Sequence, residues 1–279
     1  MAGIVVVFDF DSTIIECDSD NWVLDEFGLT EKFYELLPNT LWNPLMDKMM
    51  YELHSQGKTI EDIVQVLNRT PIHPRIVLAI EAAHSFGCEL KIVSDANTFF
   101  IETILKHHGV WNCFSEITAN PSYVNEEGRL IICPYHDYVK SSHGCNLCPP
   151  NMCKGLVMER IQKSVDAASE KKYIYVGDGN GDFCPSLKLK DKDFLMPRRN
   201  FPLFDLVSKN SNHIKPEVHA WRNGEELYDV MLHIMNKAIG EGKNSVSSCT
   251  STRSIDCKLG SISIDVHNNP LPSALPVPP

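Results

Sequence analysis

Basic residues are scarce and scattered in this sequence. In 279 residues no Lys/Arg run exceeds two, and the formal net charge is −10. The stripe of positive charge that tracks a nucleic-acid backbone is missing, and an anionic membrane surface would repel the chain. Neither nucleic acid nor membrane is therefore expected as a partner. Long apolar runs are missing as well. The first, Ile4 to Phe8, meets Asp9 at once and has no basic flank. It is too short for a secretory core or a membrane span. With no secretory signal, the ten cysteines are expected to be reduced thiols in a cytoplasmic setting, not the disulfide framework of a small secreted chain. What remains, 43% hydrophobic and 22% charged residues, suits an ordinary globular protein with one full core and a smaller second unit.

The apolar residues that are present alternate between strand and helix patterns. Ile4 to Phe8 is continuous and largely β-branched, as in a central parallel strand buried on both faces. Leu41, Leu45, Met49 and Leu53 recur every fourth residue and predict one apolar helical stripe. Thr59 is placed as an N-cap of a helix carrying Ile60, Ile63, Val64 and Leu67. His73-Pro74 breaks the pattern, and a helix from about Arg75 stops at Gly87. Residues 17–87 thus read as an all-helical insert between two strands. Further strands are predicted at Glu89 to Val93, Glu116 to Ala119, Arg129 to Cys133, Tyr173 to Val176 and Phe194 to Met196, with helices at Thr98 to His108 and from Lys154. The fold class is therefore α/β, a doubly wound, Rossmann-like parallel sheet with a helical insertion. The core takes residues 1–16 and 88–240. Residues 241–279, rich in Ser, Thr and then Pro, are expected to be a disordered tail.

Ligands of such sheets bind beyond the carboxyl ends of the strands, and four polar segments fall there. Asp9 and Asp11 lie two apart after the first strand, so both carboxylates can face one small volume. Such a pair repels, which raises one pKa unless a divalent cation intervenes. Either outcome suits phosphoryl transfer, with Asp9 as nucleophile and Asp11 as acid and then base. The plain alternative is a solvated loop with two acids. Ser94 ends the second strand within Ser94-Asp95-Ala96-Asn97 and could donate to a phosphate oxygen, or it or Asn97 could simply cap the next helix. Lys154 stands near a helix start as a possible phosphate partner. Gly177-Asp178-Gly179-Asn180-Gly181-Asp182 is a tight turn offering oxygens to a hard cation. It is not an EF-hand loop, because the acidic residue expected at the loop's end is replaced by Leu189. A receiver domain also gathers acids, a hydroxyl and a lysine, but leaves Asp11 and the large insert unexplained. Separately, His143-x-Cys145-x-x-Cys148-x-x-x-x-Cys153 has residue types and spacing suited to a structural zinc.

The order of these segments resembles the haloacid-dehalogenase superfamily of phosphatases, whose four motifs match Asp9-x-Asp11-x-Thr13, Ser94, Lys154 and Gly177-Asp178-x-x-x-Asp182, over a similarity running from Ile4 to about Ile239. The resemblance implies Asp9 as nucleophile and Asp11 as general acid/base. It implies magnesium held by Asp9, the Asp11 carbonyl and Asp178 with Asp182 in support, and a phosphoryl group held by Thr13, Ser94 and Lys154. The insert resembles the cap domain of one subclass. More narrowly, Ser94 to Asn97, Asn151 to Gly155 and Gly177 to Pro185 resemble the phosphoethanolamine/phosphocholine phosphatases, in particular a plant branch induced by phosphate starvation. Some relatives there are described as pyrophosphatases and others act on thiamine phosphate. The implied substrate is a small phosphorylated metabolite, with Asp20 and Asp95 recognising its ammonium group. Asp20 could equally be the N-cap of a helix from Asn21. For pyrophosphate, Lys48, Lys58, Arg69 and Arg75 of the insert could supply the missing positive charge.

Overall fold

The computed structural model describes residues 3–164 and 171–246. In chain order the elements are β1 (Ile4–Phe8), α1 (Ser19–Glu26), α2 (Thr30–Leu36), α3 (Trp42–Ser55), α4 (Ile60–Leu67), α5 (Pro74–Ser85), β2 (Glu89–Asn97), α6 (Thr98–His107) and β3 (Phe114–Asn120). Then come β4 (Ser122–Val124), β5 (Leu130–Ile132), α7 (Lys154–Lys163), β6 (Lys172–Gly177), α8 (Phe183–Ser186), β7 (Phe194–Pro197), α9 (Pro202–Lys209), β8 (Glu217–Val218) and α10 (Gly224–Val246). Six strands form one sheet in the order β3-β2-β1-β6-β7-β8, every pair parallel.

The period of two in β1 builds the two faces. Ile4, Val6 and Phe8 enter one apolar cluster, with Ile76 and Ile80 of α5 and Met231 and Ile234 of α10. Val5 and Val7 enter another, with Val157 and Ile161 of α7 and Leu203 of α9. A strand buried on both sides has no polar face to alternate with, which is why its sequence is a continuous apolar run.

The insert follows the sequence reading in part. Thr59 caps α4 with Asp62 returning the bond to its backbone, a closed capping box. Leu45, Met49 and Leu53 are buried along α3, but Leu41 precedes the helix and is 49% exposed. Nor is Asp20 an N-cap. Asp18 takes that place, accepting from the Asn21 amide, and α1 begins at Ser19. The stretch 17–87 is also not one unit. Its last helix, α5, packs on α10 and β2, as the crossover helix of a parallel strand pair does. Of the remaining helices, α4 packs on α6, while α3 reaches a separate antiparallel ribbon, β4–β5. There the Asp47 carboxylate of α3 accepts from the Ile132 amide at 3.0 Å. Helix α10 runs on to Val246, past the point where the tail was expected to begin. The rest of that tail lies outside the described residues. No helix among them is long and apolar enough to cross a membrane.

Candidate active site

The three central strands, β2-β1-β6, end side by side, and their polar sequels meet there. Asp9 follows β1, Asp178 follows β6, and Lys154 is the first residue of α7. One oxygen each of Asp9, Asp178 and Asp182 lies within 4.8 Å of the others. Lys154 Nζ sits 2.8 Å from Asp9 Oδ1, 3.0 Å from Asp182 Oδ1 and 3.7 Å from Asp95 Oδ2. Asp9 Oδ1 also accepts from the Phe10 amide at 2.7 Å.

The turn after β6 is shaped by Asp182. Its Oδ2 accepts from the amides of Asp178 and Gly179 at 3.0 and 2.9 Å. Its Oδ1 accepts from Lys154 Nζ and from the Tyr175 hydroxyl at 2.7 Å. Asp182 is thereby filled with protein donors and holds Lys154 and the Asp178 backbone in place. Gly177 makes this possible, because a Cβ there would lie 2.6 Å from the Asp182 carboxylate. Thr13 acts likewise. Its hydroxyl, expected on a phosphate, donates to Asp178 Oδ1 at 3.0 Å.

Crowding sets the electrostatics. Burial, then the charges of Asp182 and Asp178, raise the Asp9 carboxyl well above the usual range, against the pull of Lys154. Asp178 is pushed up to about 7 by burial and by Asp182. Burial alone would depress the Lys154 ammonium, but Asp182, Asp9 and Asp95 outweigh it and hold it high. Buried carboxylates that resist ionisation, with only oxygen donors at hand, are what a hard divalent cation stabilises. Asp9 and Asp178 could hold such an ion, with Asp182 behind them.

Asp11 faces the other way, into a cavity of about 260 Å³ that Asp18, Asp20, Trp42, Asp95 and Asn151 also line. Burial and the neighbouring charges of Asp18, Asp20 and Asp9 raise its pKa well above normal. The Asp20 carboxyl accepts from the Trp42 indole at 2.7 Å and is raised to about 7, by burial and then by Asp18. Asp20 Oδ1 and Asp95 Oδ1 are buried without a hydrogen-bond partner. Ser94 is buried at the same strand end, where β2 departs from the register of β3 between Val93 and Asn97. Its hydroxyl oxygen accepts from the Ala96 amide, and the cap of α6 is Asn97.

Two contributors escaped the sequence reading. Arg198, after β7, donates to the carbonyl of Ser12 and pairs with Glu16. Ser12 has φ of +52°, so this contact holds a strained backbone between Asp11 and Thr13. A lone arginine after a proline carries no signal of that kind in sequence. The second is Cys184. Its sulfur, not the His143 ring, joins Cys145, Cys148 and Cys153, while the His143 Nε2–H donates to the Pro149 carbonyl at 2.9 Å.

Known proteins share this chain's sequence and fold. It is 54% identical over 272 residues to "Inorganic pyrophosphatase 2" of Arabidopsis thaliana, covering 96% of this chain and 95% of that protein. It is 52% identical over 237 residues to the "Thiamine phosphate phosphatase-like protein" of the same plant, covering 85% and 97%. A solved substrate-bound phosphoserine phosphatase superposes with a TM-score of 0.51 at 15% identity, over 81% of this chain and 96% of that one, which establishes a common fold. The family model described as "Putative Phosphatase" matches residues 4–235. That span takes in Asp9, Ser94, Lys154 and Asp178, and by it the chain belongs to this family of phosphatases.

Proposed function

We propose that the chain is a magnesium-dependent phosphatase acting on a small phosphorylated metabolite through an aspartyl-phosphate on Asp9. The observation that carries this reading is the contact of Lys154 with Asp9 and Asp182 beside Asp178 at adjoining strand ends. Asp9 attacks phosphorus, forming an O–P bond as the bond to the leaving oxygen breaks, and Asp11 gives that oxygen its proton. A water then attacks the phosphorus and yields its proton to Asp11, releasing phosphate and restoring Asp9. Lys154 holds the transferring group against Asp9. Magnesium would be held by Asp9, Asp178 and the Asp11 carbonyl, and when bound neutralises charge on the phosphoryl oxygens.

Asp178 ties this metal to pH. With its folded pKa raised to about 7 over an ordinary ~3.9 when unfolded, the metal-free folded chain binds the extra proton between these values. Its stability therefore falls as pH rises through that window, and the cation, which needs the ionised form, removes the penalty. Magnesium is expected to raise the melting temperature more at pH 8 than at pH 6, with affinity falling at least about tenfold per pH unit below 7. Thermal melts across a magnesium and pH grid read this. A gain independent of pH would count against Asp178 as a ligand.

The substrate we infer carries an ammonium group, phosphoethanolamine or phosphocholine. The cavity beside Asp11 is lined by four carboxylates, Asp11, Asp18, Asp20 and Asp95, and by no lysine or arginine. A zwitterionic leaving group would partner the orphan oxygens of Asp20 and Asp95. None of Lys48, Lys58, Arg69 and Arg75 lines the cavity: Arg69 pairs with Glu26, Arg75 with Glu225 on α10, and Lys58 lies over the Phe27 ring. The second reading is pyrophosphate, favoured by the relative of that name at 54% identity; a further cation would then have to occupy the acidic cavity. Phosphate release from phosphoethanolamine, phosphocholine, thiamine monophosphate and pyrophosphate separates the two. In the amine reading Asp20→Ala and Asp95→Ala lose about 10- to 100-fold more in kcat/KM on amine substrates than on pyrophosphate. Equal loss on pyrophosphate would overturn it.

A further inference from the structure

Between β5 and α7 the chain runs from Cys133 to Cys153 with no helix or strand. A stretch that long without structure of its own needs something else to hold it inside a compact domain. Its last residue adjoins Lys154, whose ammonium must be placed to within a fraction of an ångström. Four sulfurs converge at this end. Cys145 Sγ and Cys153 Sγ lie 3.7 and 3.8 Å from Cys184 Sγ, and with Cys148 all four sulfurs fall within 4.8 Å of one another. Cys184 comes from a different part of the chain, two residues beyond Asp182. It reaches the cluster only because residue 155 is glycine, since a Cβ there would lie 2.4 Å from the Cys184 sulfur.

We propose that Cys145, Cys148, Cys153 and Cys184 bind one structural zinc ion, independently of the reaction proposed above. The separations fit. Four sulfurs at ~2.3 Å from a tetrahedral zinc stand ~3.8 Å apart, whereas a disulfide brings two of them to ~2.05 Å. The donor set fits as well: four thiolates select a soft divalent ion and reject magnesium. The pair Cys145-x-x-Cys148 is the usual knuckle, and the set is closed, with no place left for water, so the ion is structural. Its effect is to tie the segment before Lys154 to the turn after Asp182, the two elements whose side chains meet at 3.0 Å.

The test is the metal content of the full chain, purified without chelator, then dialysed against zinc and desalted. About one zinc per chain is expected in the wild type, in His143→Ala and in Cys88→Ser. Cys145→Ser and Cys184→Ser are expected to lose at least about tenfold in zinc retained. Should those variants fail to fold, cobalt exchanged into the wild type gives the intense visible and near-ultraviolet bands of tetrahedral thiolate coordination. An ion on the oxygen donors of Asp9 and Asp178 gives none. Wild type with neither zinc nor these bands, full zinc in Cys184→Ser, loss of zinc in His143→Ala, or iron in place of zinc would each overturn the proposal.

Discussion

Asp9→Asn is expected to lower kcat by about 10⁴-fold or more, the scale of losing a covalent nucleophile in two-step hydrolysis, while the chain still folds. The reason lies in the opposing demands on this residue. Asp9 is buried beside Asp182 and Asp178, and these surroundings raise its pKa well above the ordinary carboxylate range. A raised carboxyl binds its proton more readily folded than unfolded, so its charged form is a burden on the metal-free fold at neutral pH and above. Asparagine removes that charge with almost no change of shape. The variant should thus melt no lower than the wild type in the absence of metal, and activity and stability should move in opposite or unrelated directions. Phosphate release and thermal melts read the two quantities. Acid-quenched mass spectrometry of the wild type should find a phosphoryl group on the peptide holding Asp9, and none on the variant. Turnover near the wild-type rate in Asp9→Asn would remove the nucleophile assignment and with it the two-step mechanism.

Lys154→Ala is expected to fail in both respects at once. The lysine is buried to 3% exposure and contacts Asp9 and Asp182 at 2.8 and 3.0 Å. Removing one partner from a buried charge cluster leaves the rest uncompensated, at a cost of about 3–5 kcal/mol. Activity should fall by roughly 10²–10³-fold, since a preorganised positive charge is lost from the transferring phosphoryl group. The stability loss has a sign with pH. Without Lys154 the carboxyls of Asp9 and Asp178 rise further, so the deficit is greatest above neutral pH and shrinks in mild acid, where protons replace the missing cation. Melts of wild type and variant at pH 5.5 and 8 would show this. A deficit that does not change with pH would mean that the lysine stem, through packing, matters more than its charge.

Asp9 and Asp178 could be read in sequence because each directly follows a strand, and strand ends are marked by the abrupt stop of an apolar run. Ile4 to Phe8 stops at Asp9, and Tyr173 to Val176 stops at the glycine-aspartate turn. The period of β1 fixes both sheet faces, so the α/β class was legible too. The helical caps were only half legible. Thr59 and Asp62 form a box three residues apart, a purely local device, but the choice of Asp18 over Asp20 as the cap of α1 depends on what Asp20 faces. It faces Trp42, from a helix twenty-two residues away.

By itself, then, the sequence determined which runs are buried, which turns follow them, which carboxylates stand at the strand exits and which lysine opens a helix. Those are local consequences of side-chain period and turn chemistry. The tertiary structure alone decided which of these groups share partners. It put the Thr13 hydroxyl on Asp178, set the Arg198 guanidinium against the Ser12 carbonyl, seated α5 on α10 instead of within the insert, and exchanged His143 for Cys184 in the thiol cluster. The physical reason is common to all four. Each depends on a contact between residues far apart in the chain, settled by space as much as by chemistry, down to the one missing Cβ at Gly155 that lets the Cys184 sulfur approach.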